Sequence, residues 1–91
     1  MTKTELIAEV ASKSEITKVS AESVVNAVLD TIMEQVAVGN KVQIVGFGGF
    51  ERAERAERQG RDPRSNTPIT IPASRVPKFK VSKNFKEITN K

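Results

Sequence analysis

The chain reads as an α+β protein: a helical amino-terminal half, a small antiparallel sheet that extends into a long β-hairpin arm, and a short closing helix. Three observations lead there. Up to Gly39, apolar residues recur at helical spacing. Beyond it, short extended runs are separated by clusters of Gly, Pro and Asn. Finally, arginine stands at every third position, Arg52, Arg55, Arg58, Arg61 and Arg64, in a stretch that through Thr67 has only Ala53, Ala56 and Pro63 as apolar side chains.

Thr2 and Glu5 have capping-box spacing, and Leu6, Ile7, Val10 and Ala11 follow on one face, so a first helix is predicted from Lys3 to Lys13. Ser14 to Thr17 is a turn, with Thr17 the N-cap of a second helix. That helix continues to Val38 and stops at Gly39-Asn40, a left-handed termination signal. At roughly 21 residues it would be about 31 Å long. Its apolar set (Ala21, Val24, Val25, Val28, Leu29, Ile32, Met33, Val36) is wider than one short helix can cover, which points to a second subunit.

Lys41 to Val45 alternates as a half-buried strand. Phe50–Gln59 and Pro68–Ala73 are the two sides of the arm, joined by the turn-rich Gly60–Thr67. Val76–Val81 returns to the sheet, and Ser82 caps a final helix through Ile88. Gly46, Gly48 and Gly49 lack the Gly-Lys-Ser/Thr ending of a phosphate loop; glycine between Phe47 and Phe50 fits backbone crowding at a sheet bend. Phe47, Phe50, Phe79 and Phe85 are expected in the core.

Charge separates the halves. Residues 1–45 hold four Lys/Arg against six Asp/Glu, and residues 46–91 hold eleven against five. A basic half points to a polyanion, either nucleic acid or an acidic membrane surface. It has no amphipathic helix with large apolar residues along one face, which disfavours the membrane. By strand alternation Arg52 and Arg58 share one face and Arg55 takes the other. A ribbon charged on both faces and apolar on neither has no internal reason to fold.

Other function classes fare worse. Without histidine or cysteine, the usual general bases and activated thiols are missing, and the acidic residues are scattered. No catalytic, cofactor-binding or metal-ligating set is expected. The chain also lacks Trp and Tyr, the rings on which single-stranded nucleic acids stack, so duplex DNA is the expected partner. The absence of cysteine fits a reducing compartment. No apolar run approaches the ~18 residues of a span and no signal-peptide pattern opens the chain, so a soluble cytoplasmic protein is expected.

Gly46-Phe-Gly-x-Phe50, Arg55-x-x-Arg58-x-Gly60-Arg61-x-Pro63, Ile71-Pro-Ala73 and Pro77-x-Phe79, with Thr4-Glu5-Leu6-Ile7 and Lys41-Val42-Gln43, resemble the HU/IHF family of bacterial nucleoid proteins over essentially the whole chain. The resemblance implies an intertwined homodimer whose two arms enter the minor groove, a mode for which this family is the standing example. It divides the single domain 1–91 into a helical dimerisation base (1–40), a saddle sheet (41–51 and 74–81), a DNA-binding arm (52–73) and a carboxyl-terminal helix (82–91). It assigns Arg55, Arg58 and Arg61 to the groove and Pro63 to a wedge between base pairs. Lys3, Arg75, Lys80, Lys83 and Lys86 fall to phosphates, and Arg52 and Arg64 complete the DNA-binding set. Val25, Leu29, Ile32, Val36, Phe47, Phe50 and Phe79 would form the dimer core. The implied function is a non-enzymatic, histone-like protein of the nucleoid that bends duplex DNA with little sequence preference and tolerates structured RNA as a secondary ligand. The alternative is an IHF-like, sequence-selective subunit of a heterodimer.

Four positions depart from the family pattern. Ala53 stands where arginine is common, with Arg52 next door, which moves one charge to the opposite face of the strand. Asp62 replaces an asparagine and is expected to weaken binding or tie up Arg61 or Arg64. Asn66 replaces a turn glycine and is able to adopt the left-handed conformation. Val81-Ser82 stands for Pro-Gly, leaving a helix cap in place of a rigid turn.

Overall fold

Helix α1 covers Lys3–Ser14. The Thr2 hydroxyl accepts the N–H of Glu5 at 3.3 Å and donates to the Glu5 carboxylate at 3.4 Å, so the reciprocal contact of the expected box goes to the hydroxyl rather than to the backbone. At the other end Glu15 sits at φ 55, and Ile16 N–H reaches the Ala11 carbonyl at 3.1 Å, closing the helix without a glycine. Thr17 then accepts Ser20 N–H at 3.1 Å and starts α2, Lys18–Ala37. The remaining elements are β1 (Val42–Ile44), β2 (Gly48–Arg55), β3 (Arg58–Arg61), β4 (Pro68–Ile71), β5 (Ser74–Val81) and α3 (Lys83–Thr89). The computed structural model describes all residues, Met1–Lys91, and resolves them into two compact units, Met1–Glu34 and Gln35–Lys91.

In the second unit β2 lies between β1 and β5 in an antiparallel sheet, while β3 and β4 form a separate two-stranded ribbon. The two ladders share one register. Continuing β2–β5 past Arg55↔Ser74 sets Arg58 opposite Ile71, the pairing observed in the ribbon. The ladder is interrupted at Ala56-Glu57 and Pro72-Ala73, where Pro72 has no N–H to donate. Pro77 is tolerated because β5 is an edge strand.

Alternation sorts the sheet into two faces. Val42, Phe50 and Phe79 form a row across the three strands on one of them. Phe79 packs on Phe50 at 4.8 Å between centroids, and Phe47 bridges to Phe79 at 5.3 Å and Phe85 at 5.5 Å. Gly48 is a glycine because a Cβ there would lie 2.6 Å from the Phe79 ring. Ser82 accepts Phe85 N–H at 3.2 Å and starts α3, so the polar replacement of a rigid turn does act as a cap.

The expected phenylalanine core is only half achieved. Phe47 and Phe79 remain 41 % exposed and Phe85 37 %, because α3 covers this face only in part, through the contact of Phe85 with Phe47. Buried apolar side chains are confined to Ala11, Ala21 and Val36, while Val24, Val28, Leu29 and Met33 along α2 are exposed. Leaving a large apolar side chain in water forfeits about 1.5–3 kcal/mol that burial would return.

Candidate nucleic-acid interface

The face of the sheet opposite the phenylalanines is cationic. On it β5 places Lys78 and Lys80, flanking Glu51 of β2, and Lys41 comes from the segment before β1. Glu51 holds Lys80 at 3.0 Å and Lys41 at 3.6 Å. The hydrogen bond from Lys80 is the main reason its carboxyl is held below the usual carboxylate range; partial burial opposes this, and the charges of Lys80 and Lys41 add to it. On the phenylalanine side of the same ladder Arg75 meets Glu54 at 3.7 Å, and on α3 Lys83 meets Glu87 at 3.8 Å. Lys80, Arg75 and Lys83 thus already have carboxylate partners.

The arm differs. Arg55, Arg58, Arg61 and Arg64 are all exposed and none forms an ion pair, although Glu54 and Glu57 stand beside them in the chain. Arg61 donates to the Asn66 carbonyl at 3.2 Å, which uses part of its donor fork. The tip is a six-residue turn closed by Asp62 N–H to the Thr67 carbonyl at 2.9 Å. Asn66 adopts φ 56, the left-handed conformation expected of it. The Asp62 carboxylate accepts the backbone N–H of Arg64 at 2.8 Å and ties up neither guanidinium, so of the two effects expected of it the capture of Arg61 or Arg64 is not seen; a short acidic side chain satisfies its own turn first. Pro63 is exposed within this turn.

The ribbon has an apolar side that β3 alone does not show. It is not apolar on neither face, because β4 brings Ile69 and Ile71 opposite Gly60 and Arg58. A Cβ on Gly60 would sit 3.0 Å from Ile71 Cδ1, so the glycine gives the isoleucines room to pack across the strand. Arg58 shares this face, while Arg61 and Gln59 take the other, where Gln59 Nε2 donates to Thr70 Oγ1 at 3.4 Å.

Arg52 is the other displaced residue. It lies on the phenylalanine face, half-buried, and donates to the Ala37 carbonyl at 3.3 Å. The sheet therefore brings Lys80 onto the cationic face and leaves Arg52 off it. Lys3 belongs to the first unit, lining a shallow cleft with Thr4, Ile7, Ala8, Lys18 and Glu22. Lys86 is exposed on α3 and has no carboxylate partner. Sequence reasoning passed over Lys41 and Lys78; the alternation Lys78-Phe79-Lys80 was the available signal for Lys78.

An α+β fold that carries one lysine-bearing sheet face and a ribbon of unpaired arginines defines a polyanion-binding class of protein. Comparison narrows this. A profile of the family described as bacterial DNA-binding protein matches residues 1–90, and the chain belongs to that family. It is 50 % identical over 91 residues to DNA-binding protein HU of Clostridium pasteurianum, covering all of both chains. It is 49 % identical over 87 residues to DNA-binding protein HU of Nostoc sp., covering 96 % of this chain and 93 % of the relative. Among solved structures, the Anabaena HU–DNA cocrystal superposes with a TM-score of 0.94 at 48 % identity, covering 98 % of this chain and 97 % of that one.

Proposed function

We infer that the protein is a non-enzymatic, histone-like architectural protein that binds and bends double-stranded DNA with little sequence preference, compacting the bacterial nucleoid in the cytoplasm. The observation that carries this reading is the set of exposed arm arginines without a carboxylate partner. Four guanidinium groups, at the end of β2, on β3 and in the tip turn, lack a counter-charge within the chain, and duplex phosphates supply one. The HU relatives, and the cocrystal of one such protein with DNA, support the same partner. The IHF-like alternative has no observation in its favour.

Arg55 and Arg61 on one face of the ribbon and Arg58 on the other follow the walls of the minor groove. Arg64 and Pro63 meet the duplex at the tip, with Pro63 inserting between base pairs to hold a kink. Arg75, Lys80, Lys83, Lys86 and Lys3 receive the phosphates of the bent flanks. An extended arm of about 11 residues reaches roughly 35 Å, close to one turn of duplex, so a pair of arms embraces the DNA. Structured RNA is a secondary ligand through the same phosphate contacts.

The working form is a homodimer. The exposed stripe Val24, Val28, Leu29 and Met33 and the uncovered rings Phe47 and Phe79 support this, since one subunit leaves too much apolar surface in water. Val25, Ile32, Val36 and Phe50 extend the same apolar surfaces. Residues 1–40 are accordingly the dimerisation base, 41–51 with 74–81 the saddle, 52–73 the arm and 82–91 the closing helix. No helix is long and apolar enough to cross a membrane.

The test is a salt titration of binding to a short duplex of arbitrary sequence. Log K should fall linearly against log salt, with a slope of about −0.9 for each phosphate neutralised. A flat dependence overturns the reading.

A further inference from the structure

Helix α2 ends with its carbonyls unevenly satisfied. Gly39, at φ +94, sends its N–H to the Val36 carbonyl at 3.0 Å, and Asn40 sends its own to Gln35 at 2.9 Å. These two bonds form a Schellman termination and leave the Ala37 carbonyl unserved. The last turn of α2 carries no basic residue to face the negative end of its dipole. Arg52 supplies both needs from β2. Its Nη1 donates to the Ala37 carbonyl at 3.3 Å, and its guanidinium lies beside Gly39, where a Cβ would come within 3.2 Å of Nη2. The pleat requires this direction, because Arg52 lies on the face of Phe50 and away from Glu51, Lys78 and Lys80.

We propose that Arg52 is a positioning residue rather than a DNA contact: it pins the root of the arm to the α2–β1 turn through Ala37 and Gly39, and so orients Arg55 three residues farther out. The proposal rests on the DNA-binding reading for its functional half and on the anchor geometry for the rest. A side chain committed to a helix end contributes no phosphate contact of its own. Its loss blurs the direction of the strand that presents Arg55 and Arg58.

The experiment combines native-state amide exchange on the free, full-length protein with salt titration on a short duplex, for wild type, Arg52→Ala and Arg52→Lys. Exchange at Gly39 and Asn40 should accelerate about threefold to tenfold in Arg52→Ala, as expected for one lost hydrogen bond of ordinary strength at a partly exposed site. Arg52→Lys, which keeps the charge and one donor, should recover part of that protection. Binding by Arg52→Ala should weaken up to about threefold while the salt slope stays at the wild-type value. Unchanged exchange in Arg52→Ala overturns the anchor, and so does a slope shallower by about 0.9 per copy, the mark of a lost phosphate contact. Should Arg52→Ala not fold, Arg52→Lys and Arg52→Gln carry the same two measurements. If the wild type shows no salt-dependent binding, the DNA reading fails alone, because the exchange result involves no DNA.

Discussion

The sheet face and the arm both carry cations, yet they hold them in opposite states. On the sheet, Lys80 and Lys41 share Glu51, and on the other face Arg75 has Glu54. On the arm, Arg55, Arg58, Arg61 and Arg64 have no carboxylate within ion-pair distance. A phosphate reaching Lys80 competes with Glu51 for one ammonium, so the gain is a difference between two partners. A phosphate reaching Arg58 meets a cation exposed to water and pays little to take it. The arm should therefore dominate affinity and its salt dependence, with the sheet adding a smaller, exchangeable share.

Removing the arm's charge tests this most severely. Arg58→Ala combined with Arg61→Ala deletes two contacts per subunit. At about 0.1 M salt each contact is worth close to tenfold, so a dimer, losing four, should bind roughly 4,000-fold to 10,000-fold more weakly, with a slope shallower by roughly 3.6. Thermal stability should stay within about 0.5 kcal/mol, because neither side chain packs on the body. The matched substitution on the sheet, Lys80→Ala, should cost far less. Equal losses in the two variants, measured side by side on one duplex, would erase the distinction.

That contrast was only partly readable from residues alone. Element order followed from local chemistry: Thr2, Thr17 and Ser82 cap helices, and Gly39 ends one. The shift of charge from position 53 to 52 was readable too, since alternation assigns Arg52 to the phenylalanine face. Its destination, the Ala37 carbonyl, was not, because a contact 15 residues apart depends on tertiary placement. The isoleucine side of the ribbon was missed for a similar reason. Counting along the outgoing strand beyond Phe50 finds no apolar residue larger than alanine, and only the pairing Gly60↔Ile69 reveals the other side. The partner of Asp62 was not legible either, because its chemistry allowed a guanidinium or a backbone N–H, and the turn gives it the N–H of Arg64.

Pro63 sharpens the comparison by separating grip from kink. It contributes no charge, so Pro63→Ala should leave the salt slope unchanged and reduce bending, read by gel mobility or fluorescence transfer on an intact duplex. Unstacking a base step costs a few kcal/mol, and a nick supplies much of that flexibility beforehand. Binding to nicked DNA should thus be nearly unaffected while the intact duplex loses about tenfold. Equal losses on both substrates would remove the wedge and leave Pro63 as a turn former.

The smallest expected effect concerns Glu51, which ties the two regions together. Its carboxyl is held below the ordinary value by Lys80 first, and also by Lys41. A depressed folded-state pKa means the pair stabilises the fold above the unfolded value, and that increment disappears as pH falls through the folded one. Thermal melts should accordingly show a shallow loss below about pH 4.5 that Glu51→Gln flattens, with little difference at pH 7 beyond the missing pair. For DNA the sign reverses. Glu51→Gln releases Lys80 without cost to the phosphate, so affinity at pH 7 should rise about twofold to fivefold, the range of a surface ion pair, with a slightly steeper salt slope. Because the arm is untouched, bending should not change. A fall in affinity would mean that Glu51 orients Lys80 toward the duplex instead of competing for it, and the sheet face would then be preorganised in the same sense as the arm.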